Sequence, residues 1–123
     1  MNAKNENQDR CINYIEFNVA DITRSKKFYG QAFGWQFIDY GPNYCEFSDG
    51  HMKGGFDASE PITRGGPLVV LYGSDLEKVL EDVEAAGGEI VKPIFEFPGG
   101  RRFHFNDPDG YELAVWSETE TNI

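Results

Sequence analysis

Hydrophobic and polar residues alternate with a period of two in several short stretches of the chain, and each of these stretches predicts a β-strand. Residues 12–19 and 111–116 show this alternation most regularly. Between Asp21 and Gly34 the apolar residues recur instead at helical spacing. Asp21 or Thr23 provides an N-cap for this predicted helix, and Gly34 tolerates the left-handed conformation that commonly ends one.

The second half of the chain repeats this order of elements. Ser74 and Glu77 form a capping box, with Ser74 as the N-cap, and Gly87-Gly88 ends the helix that follows. Residues 57–67 contain two prolines and two glycines among polar residues, which indicates a linker, and residues 92–100 are predicted to form a longer connection before the last hairpin. The remaining predicted strands cover residues 35–40, 44–47, 51–56, 68–72 and 89–91, and a hairpin covers 103–116.

An internal duplication explains this repeated order. Residues 21–34 match 75–88 at an offset of 54, and the hairpin turn at 49–50 matches the turn at 109–110 at an offset of 60. We predict an α+β fold of two βαβββ modules, which form a strongly curved eight-stranded mixed sheet around a concave cavity with the helices outside. The predicted domain has modules at about 11–57 and 67–117, a linker at 58–66 and a disordered N-terminal lead at 1–9.

Composition narrows the range of partners. The formal net charge of −10 disfavours binding to nucleic acid or to anionic membranes, because both carry negative charge themselves. Cys11 and Cys45 form no short-spaced metal or redox motif, and we expect both thiols to be reduced. The sequence has no apolar run of about 18 residues and no apolar segment typical of a signal peptide near its N-terminus. We therefore expect a cytoplasmic protein.

Several short motifs follow one another in a fixed order over residues 11–117. They are Asp21, Arg24-Ser25, Phe28-Tyr29 and Phe33-Gly34-Trp35 in the first module, and Asp75-Leu76-Glu77, Val83-Glu84-Ala85-Ala86-Gly87-Gly88 and Asn106-Asp107-Pro108-Asp109-Gly110-Tyr111 in the second. Together they resemble the vicinal oxygen chelate superfamily, which groups glyoxalase I, bleomycin-resistance proteins, extradiol dioxygenases and fosfomycin-resistance proteins. The resemblance implies the fold, a small-molecule ligand and a homodimer, but it does not single out one activity.

The resemblance also implies where a metal ion would bind, because enzymes of this family hold a divalent cation through His or Glu on equivalent strands. The matching positions in this sequence are Tyr14, Leu68, Ala114 and Gly54. None of them is a usual ligand for such an ion, so we predict a protein with no metal and no other cofactor. The alternative is a displaced ligand set drawn from Glu16, His51, His104 and Glu112.

Glu16 is the most informative of the candidate site residues. A carboxylate on the inner face of a strand is costly unless it is paired, so Glu16 forms either an ion pair with Arg101 or Arg102 or acts as a catalytic general base or ligand anchor. Trp116 either stacks on a flat ligand or fills the core. The candidate ligand-binding residues are Tyr14, Glu16, Asn18, Tyr72, Arg102, His104, Glu112 and Trp116.

Three functions are compatible with these observations. The first is a metal-free small-molecule-binding protein, similar to the antibiotic-sequestering members of the resembled family. The second is a metal-dependent enzyme of the glyoxalase type, a lyase, isomerase or dioxygenase that uses the displaced ligand set. The third is an interaction module whose cavity is filled by its own side chains.

Overall fold

The computed structural model describes residues 7–62 and 65–119. Within these residues, strands and helices alternate as two βαβββ modules, which confirms the predicted α+β class and its mixed sheet. The elements are β1 (Ile12–Asn18), α1 (Ile22–Phe33), β2 (Gln36–Asp39), β3 (Tyr44–Ser48), β4 (Lys53–Asp57), β5 (Leu68–Tyr72), α2 (Leu76–Ala85), β6 (Glu89–Phe97), β7 (Gly100–Asn106) and β8 (Glu112–Glu118).

The chain divides into two compact units. The first unit comprises Tyr14–Leu68, and the second unit comprises the residues up to Asn13 and those from Val69 onward. In the first unit the strand order is β2-β3-β4-β1, with β1 parallel to β4 and the other pairs antiparallel. Its core contains Cys45, Phe47 and Phe56, and Ile22 and Tyr29 of α1 pack against it. The alternation of apolar residues in β3 and β4 therefore places one face of this sheet against the helix.

The second unit repeats the same plan with the strand order β5-β8-β7-β6. β5 runs parallel to β8, and the β7–β8 hairpin is antiparallel. Phe103 and Val115 face each other across that hairpin and pack against Leu76 and Val79 of α2. This cluster buries one face of the hairpin, so every second side chain of β7 and β8 lies on the opposite face.

The helix ends agree with the sequence at three of four positions. The Asp21 carboxylate accepts the backbone N–H of Arg24, and Gly34 ends α1 with φ of 75°. The prediction of Ser74 as the N-cap of α2 is wrong, because the Asp75 carboxylate accepts the backbone N–H of Lys78 and caps the helix. At the other end, Gly87 follows α2 with φ of 102°.

The predicted connection at 92–100 is also wrong over most of its length, because β6 continues to Phe97. Pro93 is tolerated because β6 is the last strand in its half of the sheet and pairs only with β7. The pairing shifts register between Ile90 and Lys92 and again between Lys92 and Phe95. The extra residues of the second module therefore lengthen an irregular edge strand.

The predicted N-terminal lead lies partly outside the described residues, which begin at residue 7. Asp9 accepts the backbone N–H of Ser74 at 2.8 Å, and the backbone N–H of Arg10 donates to the carbonyl of Tyr72. Residues 63 and 64 of the predicted linker also lie outside the described part. The module boundaries and the concave cavity stay predictions. No helix in the described residues is long and apolar enough to cross a membrane.

Candidate functional site

Each unit has one sheet face that its helix does not cover, called here the helix-free face. In the second unit Phe103 and Val115 point toward α2, so the alternating neighbours His104 and Ala114 lie on the helix-free face. In the first unit Phe56 belongs to the core. By the same alternation the helix-free face there carries Tyr14, Glu16 and Gly55.

Four aromatic side chains run across the helix-free face of the second unit and are called here the aromatic row: Tyr72, Trp116, Phe97 and Phe95. The ring of Tyr72 meets that of Trp116 edge-on, with centroids 5.4 Å apart, and Trp116 lies 6.4 Å from Phe97. The guanidinium of Arg102 lies over both remaining rings, 5.9 Å from the centroid of Phe97 and 5.7 Å from that of Phe95. This row forms a partly exposed apolar surface with one cation above it.

A buried tyrosine hydroxyl marks one end of the aromatic row. The hydroxyl of Tyr72 donates to the carboxylate of Glu118, and burial, together with this carboxylate, raises the pKa of Tyr72 to about 12. The indole Nε1 of Trp116 donates to the side-chain oxygen of Asn13 at 3.1 Å. Both polar groups therefore hold their rings in fixed orientations.

A histidine–glutamate pair marks the other end of the row. The 107–111 turn brings β8 back so that Nδ1 of His104 lies 2.8 Å from Oε2 of Glu112. His104 is only 3% exposed, and its ring centroid lies 5.8 Å from that of Phe95. Burial lowers the pKa of His104 despite the opposing effect of Glu112. Among the described residues, no hydrogen-bond partner faces the buried Nε2 atom.

The helix-free face of the first unit carries a chain of hydrogen bonds through Tyr44. The hydroxyl of Tyr44 donates to Oε2 of Glu16 at 2.9 Å and lies 2.6 Å from the hydroxyl of Tyr14. Because the carboxylate of Glu16 only accepts, the proton of Tyr44 points to it and Tyr14 donates to Tyr44. Burial, followed by the negative charge of Glu16, raises the pKa of Tyr44. Sequence reasoning missed Tyr44, which begins a short strand and shows no distinctive spacing.

Gly55 provides the space for these hydroxyl groups. It pairs with Glu16 across β1 and β4, and a Cβ atom at this position would overlap the Tyr44 hydroxyl. The predicted match of Gly54 with Ala114 is wrong, because a Cβ at Gly54 would meet the ring of Phe47 in the core, whereas Ala114 lies on the helix-free face. The offset of 60 fails here because the second hairpin is one residue longer than the first. Ser48 pairs with Lys53 across residues 49–52, whereas Asn106 pairs with Glu112 across residues 107–111.

The residues present do not fit the metal site that the fold would imply. Leu68 and Ala114 have no donor atom, Gly55 replaces Gly54 without adding one, and Tyr14 is hydrogen-bonded to Tyr44. Within 7–62 and 65–119, no three His, Cys, Asp or Glu side chains are grouped closely enough to hold a metal ion. A structural or catalytic dication needs about three protein ligands, so the donor set is insufficient. In the alternative ligand set, His51 is exposed in a turn, and His104 contacts the carboxylate of Glu112.

Asn18 and Arg102 are the remaining predicted ligand-binding positions. Asn18 ends β1 opposite Asp57. Arg102 lies in the second unit over the aromatic row. Arg101 lies on the other side of β7, outside the candidate site, and its guanidinium contacts the carboxylate of Glu77 at 2.6 Å. Predicted ligand-binding residues are thus present on the helix-free faces of both units, and their binding roles stay predictions.

A model of the glyoxalase/bleomycin resistance protein/dioxygenase superfamily matches residues 11–115. The chain belongs to this superfamily. The match spans both βαβββ modules, in agreement with the resemblance inferred from the short motifs. Superfamily membership is compatible with several activities and therefore does not by itself choose among them.

Curated relatives from within the superfamily are longer than this chain. The proteins named "Putative glyoxylase CFP32" of Mycobacterium bovis and Mycobacterium tuberculosis are each 24% identical over 127 residues, which covers 94% of this chain and 49% of theirs. The chain thus spans about half the length of the curated relatives it matches. Similarity at this level extends over nearly the whole of this chain but leaves half of the relatives unmatched.

Solved structures share the superfamily fold at low identity. The Mn(II)-bound glyoxalase of Novosphingobium aromaticivorans has a TM-score of 0.65 at 22% identity, covering 94% of this chain and 43% of that one. Methylmalonyl-CoA epimerase of Mycobacterium tuberculosis has a TM-score of 0.71 at 13% identity, covering 89% of each chain. A hypothetical protein of Bacillus halodurans, BH1468, has a TM-score of 0.73 at 14% identity, covering 94% and 99%. These likenesses show the fold alone.

Proposed function

We propose that the chain is a metal-free small-molecule-binding member of the superfamily and that its ligand lies on the aromatic row. One observation carries this proposal: aromatic side chains and fixed polar groups occupy the helix-free faces, whereas the implied metal positions hold Tyr14, Leu68, Gly55 and Ala114. A ligand must then be held by apolar contact, stacking and hydrogen bonds rather than by a cation.

The aromatic row suits a flat, mostly apolar ligand. Trp116, Phe97 and Phe95 are partly exposed, and stacking on such rings stabilises a bound ring by burying apolar area on both partners. Arg102 lies over two of these rings and favours an electron-rich ligand. The carboxylate of Glu118 and the His104–Glu112 pair flank the row, so polar substituents at the ends of a ligand find partners there.

Metal analysis and probe binding test this proposal together. Purified protein is expected to retain well under one equivalent of Zn, Ni, Mn or Fe, because about three ligands are needed to hold such an ion. In a Trp35→Phe background, Trp116 is the single indole, and phenol or anisole is expected to change its fluorescence in a saturable way. Absence of saturable binding by both probes would refute the binding function.

The alternative is a metal-dependent lyase or dioxygenase that uses a displaced ligand set. The His104–Glu112 contact favours it, because a metal-bound histidine commonly donates its other ring N–H to a carboxylate. The Mn(II)-bound glyoxalase of Novosphingobium aromaticivorans also shares the fold. About one equivalent of metal after purification, lost in Glu16→Gln or in His104→Asn, would replace the metal-free proposal with this one.

We also propose that two copies form a homodimer in the cytoplasm. Large apolar side chains on the surface of the first unit support association: Phe33 is 64% exposed, and Phe28, Ile38 and Tyr40 are each more than half exposed. The absence of any disulfide among the described cysteines agrees with a reducing compartment.

A further inference from the structure

We propose that Nε2 of His104 accepts a hydrogen bond from a hydroxyl or N–H group of the ligand, so that the site selects ring compounds that carry such a donor over otherwise equal compounds that lack it. The inference rests on the proposed function and names its ligand class. The inference uses two groups: the imidazole of His104 and the carboxylate of Glu112.

The contact with Glu112 determines which ring nitrogen is the acceptor. A carboxylate accepts hydrogen bonds, so Nδ1 of His104 carries the proton that it donates to Oε2 over 2.8 Å. In the neutral ring Nε2 then has a free lone pair and no proton. The lowered pKa of His104 agrees with a neutral ring. Glu112 therefore acts as the positioning residue for this acceptor.

The acceptor is buried without a partner in the described structure. His104 is 3% exposed, and Nε2 contacts no donor among the described residues. A buried acceptor without a hydrogen bond is unfavourable, and a ligand that supplies a donor removes this penalty. A ligand without a donor leaves the penalty in place. Sites built around a buried polar group reject such analogues more strongly than apolar pockets reject a missing methyl group.

The edge strand beside His104 provides the route to this atom. Lys92 pairs with His104, and the pairing of β6 with β7 is irregular between Lys92 and Phe95. Phe95 packs against the imidazole, and Arg102 lies over Phe95. Irregular edge strands re-aim individual side chains near binding sites. The ligand reaches Nε2 by displacing Phe95, whose ring then stacks against the ligand.

Phenol and anisole form a matched pair of probes, because the methyl ether lacks only the O–H donor. With Trp116 as the single indole, phenol is expected to bind about 10-fold more tightly than anisole. His104→Asn retains an N–H that reaches Glu112 but has no atom at the Nε2 position, and it is expected to abolish the preference. His104→Gln places an amide oxygen near that position and is expected to restore part of it. His51→Gln is the control at the exposed histidine.

Several outcomes would overturn the inference. Equal affinities for phenol and anisole in the parent protein would refute it and leave the binding function standing, as would a preference that survives His104→Asn. ¹⁵N NMR of the free protein provides a readout that requires no ligand: the expected spectrum has His104 protonated at Nδ1 alone, and a proton on Nε2 would refute the acceptor. If neither probe binds, the proposed function and this inference fail together.

Discussion

At the scale of single residues, Tyr44 links the hydroxyl of Tyr14 to the carboxylate of Glu16 on the helix-free face of the first unit. Its hydroxyl donates to Glu16 and accepts from Tyr14, so one partly buried phenol hydrogen-bonds both a carboxylate and a second phenol. This arrangement gives the carboxylate of Glu16 a hydrogen-bond donor among partly buried neighbours. Gly55 is required beneath it, because any side chain there would occupy the position of the hydroxyl.

Tyr44→Phe is expected to lower the free energy of unfolding by about 1–3 kcal/mol, because Glu16 loses a hydrogen-bond donor and Tyr14 loses an acceptor. Urea denaturation followed by circular dichroism measures the change. Tyr40→Phe is the control, since Tyr40 is 57% exposed and the substitution removes a hydroxyl from the surface. Equal effects of the two substitutions would show that the Tyr44 hydroxyl contributes no more than a surface group.

His104 is expected to make stability depend on pH. Its folded-state pKa lies below the ordinary value of 6.5, so the unfolded chain takes up a proton before the folded protein does. The free energy of unfolding therefore falls as the pH drops from about 8 through 6.5 toward the lowered pKa. Urea denaturation across this range should show a shallower fall for His104→Asn than for His51→Gln. Parallel curves for the two variants would contradict the prediction.

The sequence could identify most site residues but not their contacts. Strict alternation places Tyr14, Glu16, His104 and Ala114 on helix-free faces, because the period of a strand decides this locally. The contact of His104 with Glu112 depends on the pairing of β7 with β8, and the contact of Tyr44 with Glu16 depends on the pairing of both β3 and β1 with β4. Gly54 was misplaced for the same reason, since one additional residue in a hairpin changes the face.

At the scale of elements, the two helices show how local signals compete. Ser74 and Asp75 are both good capping residues, and the sequence pattern alone favours Ser74 through its spacing to Glu77. In the structure Asp75 caps α2, while the backbone N–H of Ser74 donates to Asp9. Ser74 thus contacts a residue 65 positions away in the sequence, while its neighbour Asp75 caps the helix.

Asp75→Ala is expected to destabilise the protein by about 1 kcal/mol, because the first turn of α2 loses its capping carboxylate. Ser74→Ala removes only a hydroxyl that does not cap, and it is expected to change stability by less than about 0.5 kcal/mol. Thermal or urea denaturation of both variants compares the two positions directly. A larger loss for Ser74→Ala would restore the capping box that the sequence suggested.

At the scale of the whole molecule, the fold class could be predicted because duplication makes the pattern appear twice. The clear strand pattern of β8 in the second module supports the assignment of the less regular β4 as a strand in the first module. The ligand could not be predicted in the same way. Phe95 and Phe97 lie in a segment that was expected to be a connection, and only the extension of β6 brings them into the aromatic row.

The proposed homodimer is expected to have twice the 13.9 kDa mass of the chain. Each copy carries a net charge of −10, so repulsion should weaken association at low ionic strength and salt should strengthen it. Sedimentation at low and high salt measures this change. The double substitution Phe28→Ser, Phe33→Ser is expected to give monomers at both salt concentrations. A monomeric parent protein at all concentrations would refute the dimer.

The core of the first unit contains a further consequence. Cys45 is fully buried and burial raises its pKa, whereas Cys11 is exposed. An alkylating reagent added to the native protein therefore reacts at once with one sulfur atom and reaches the second only when residues around Phe47 and Phe56 separate. The rate of the slow reaction at Cys45 therefore reports how often the core of the first unit opens, and no engineered label is needed.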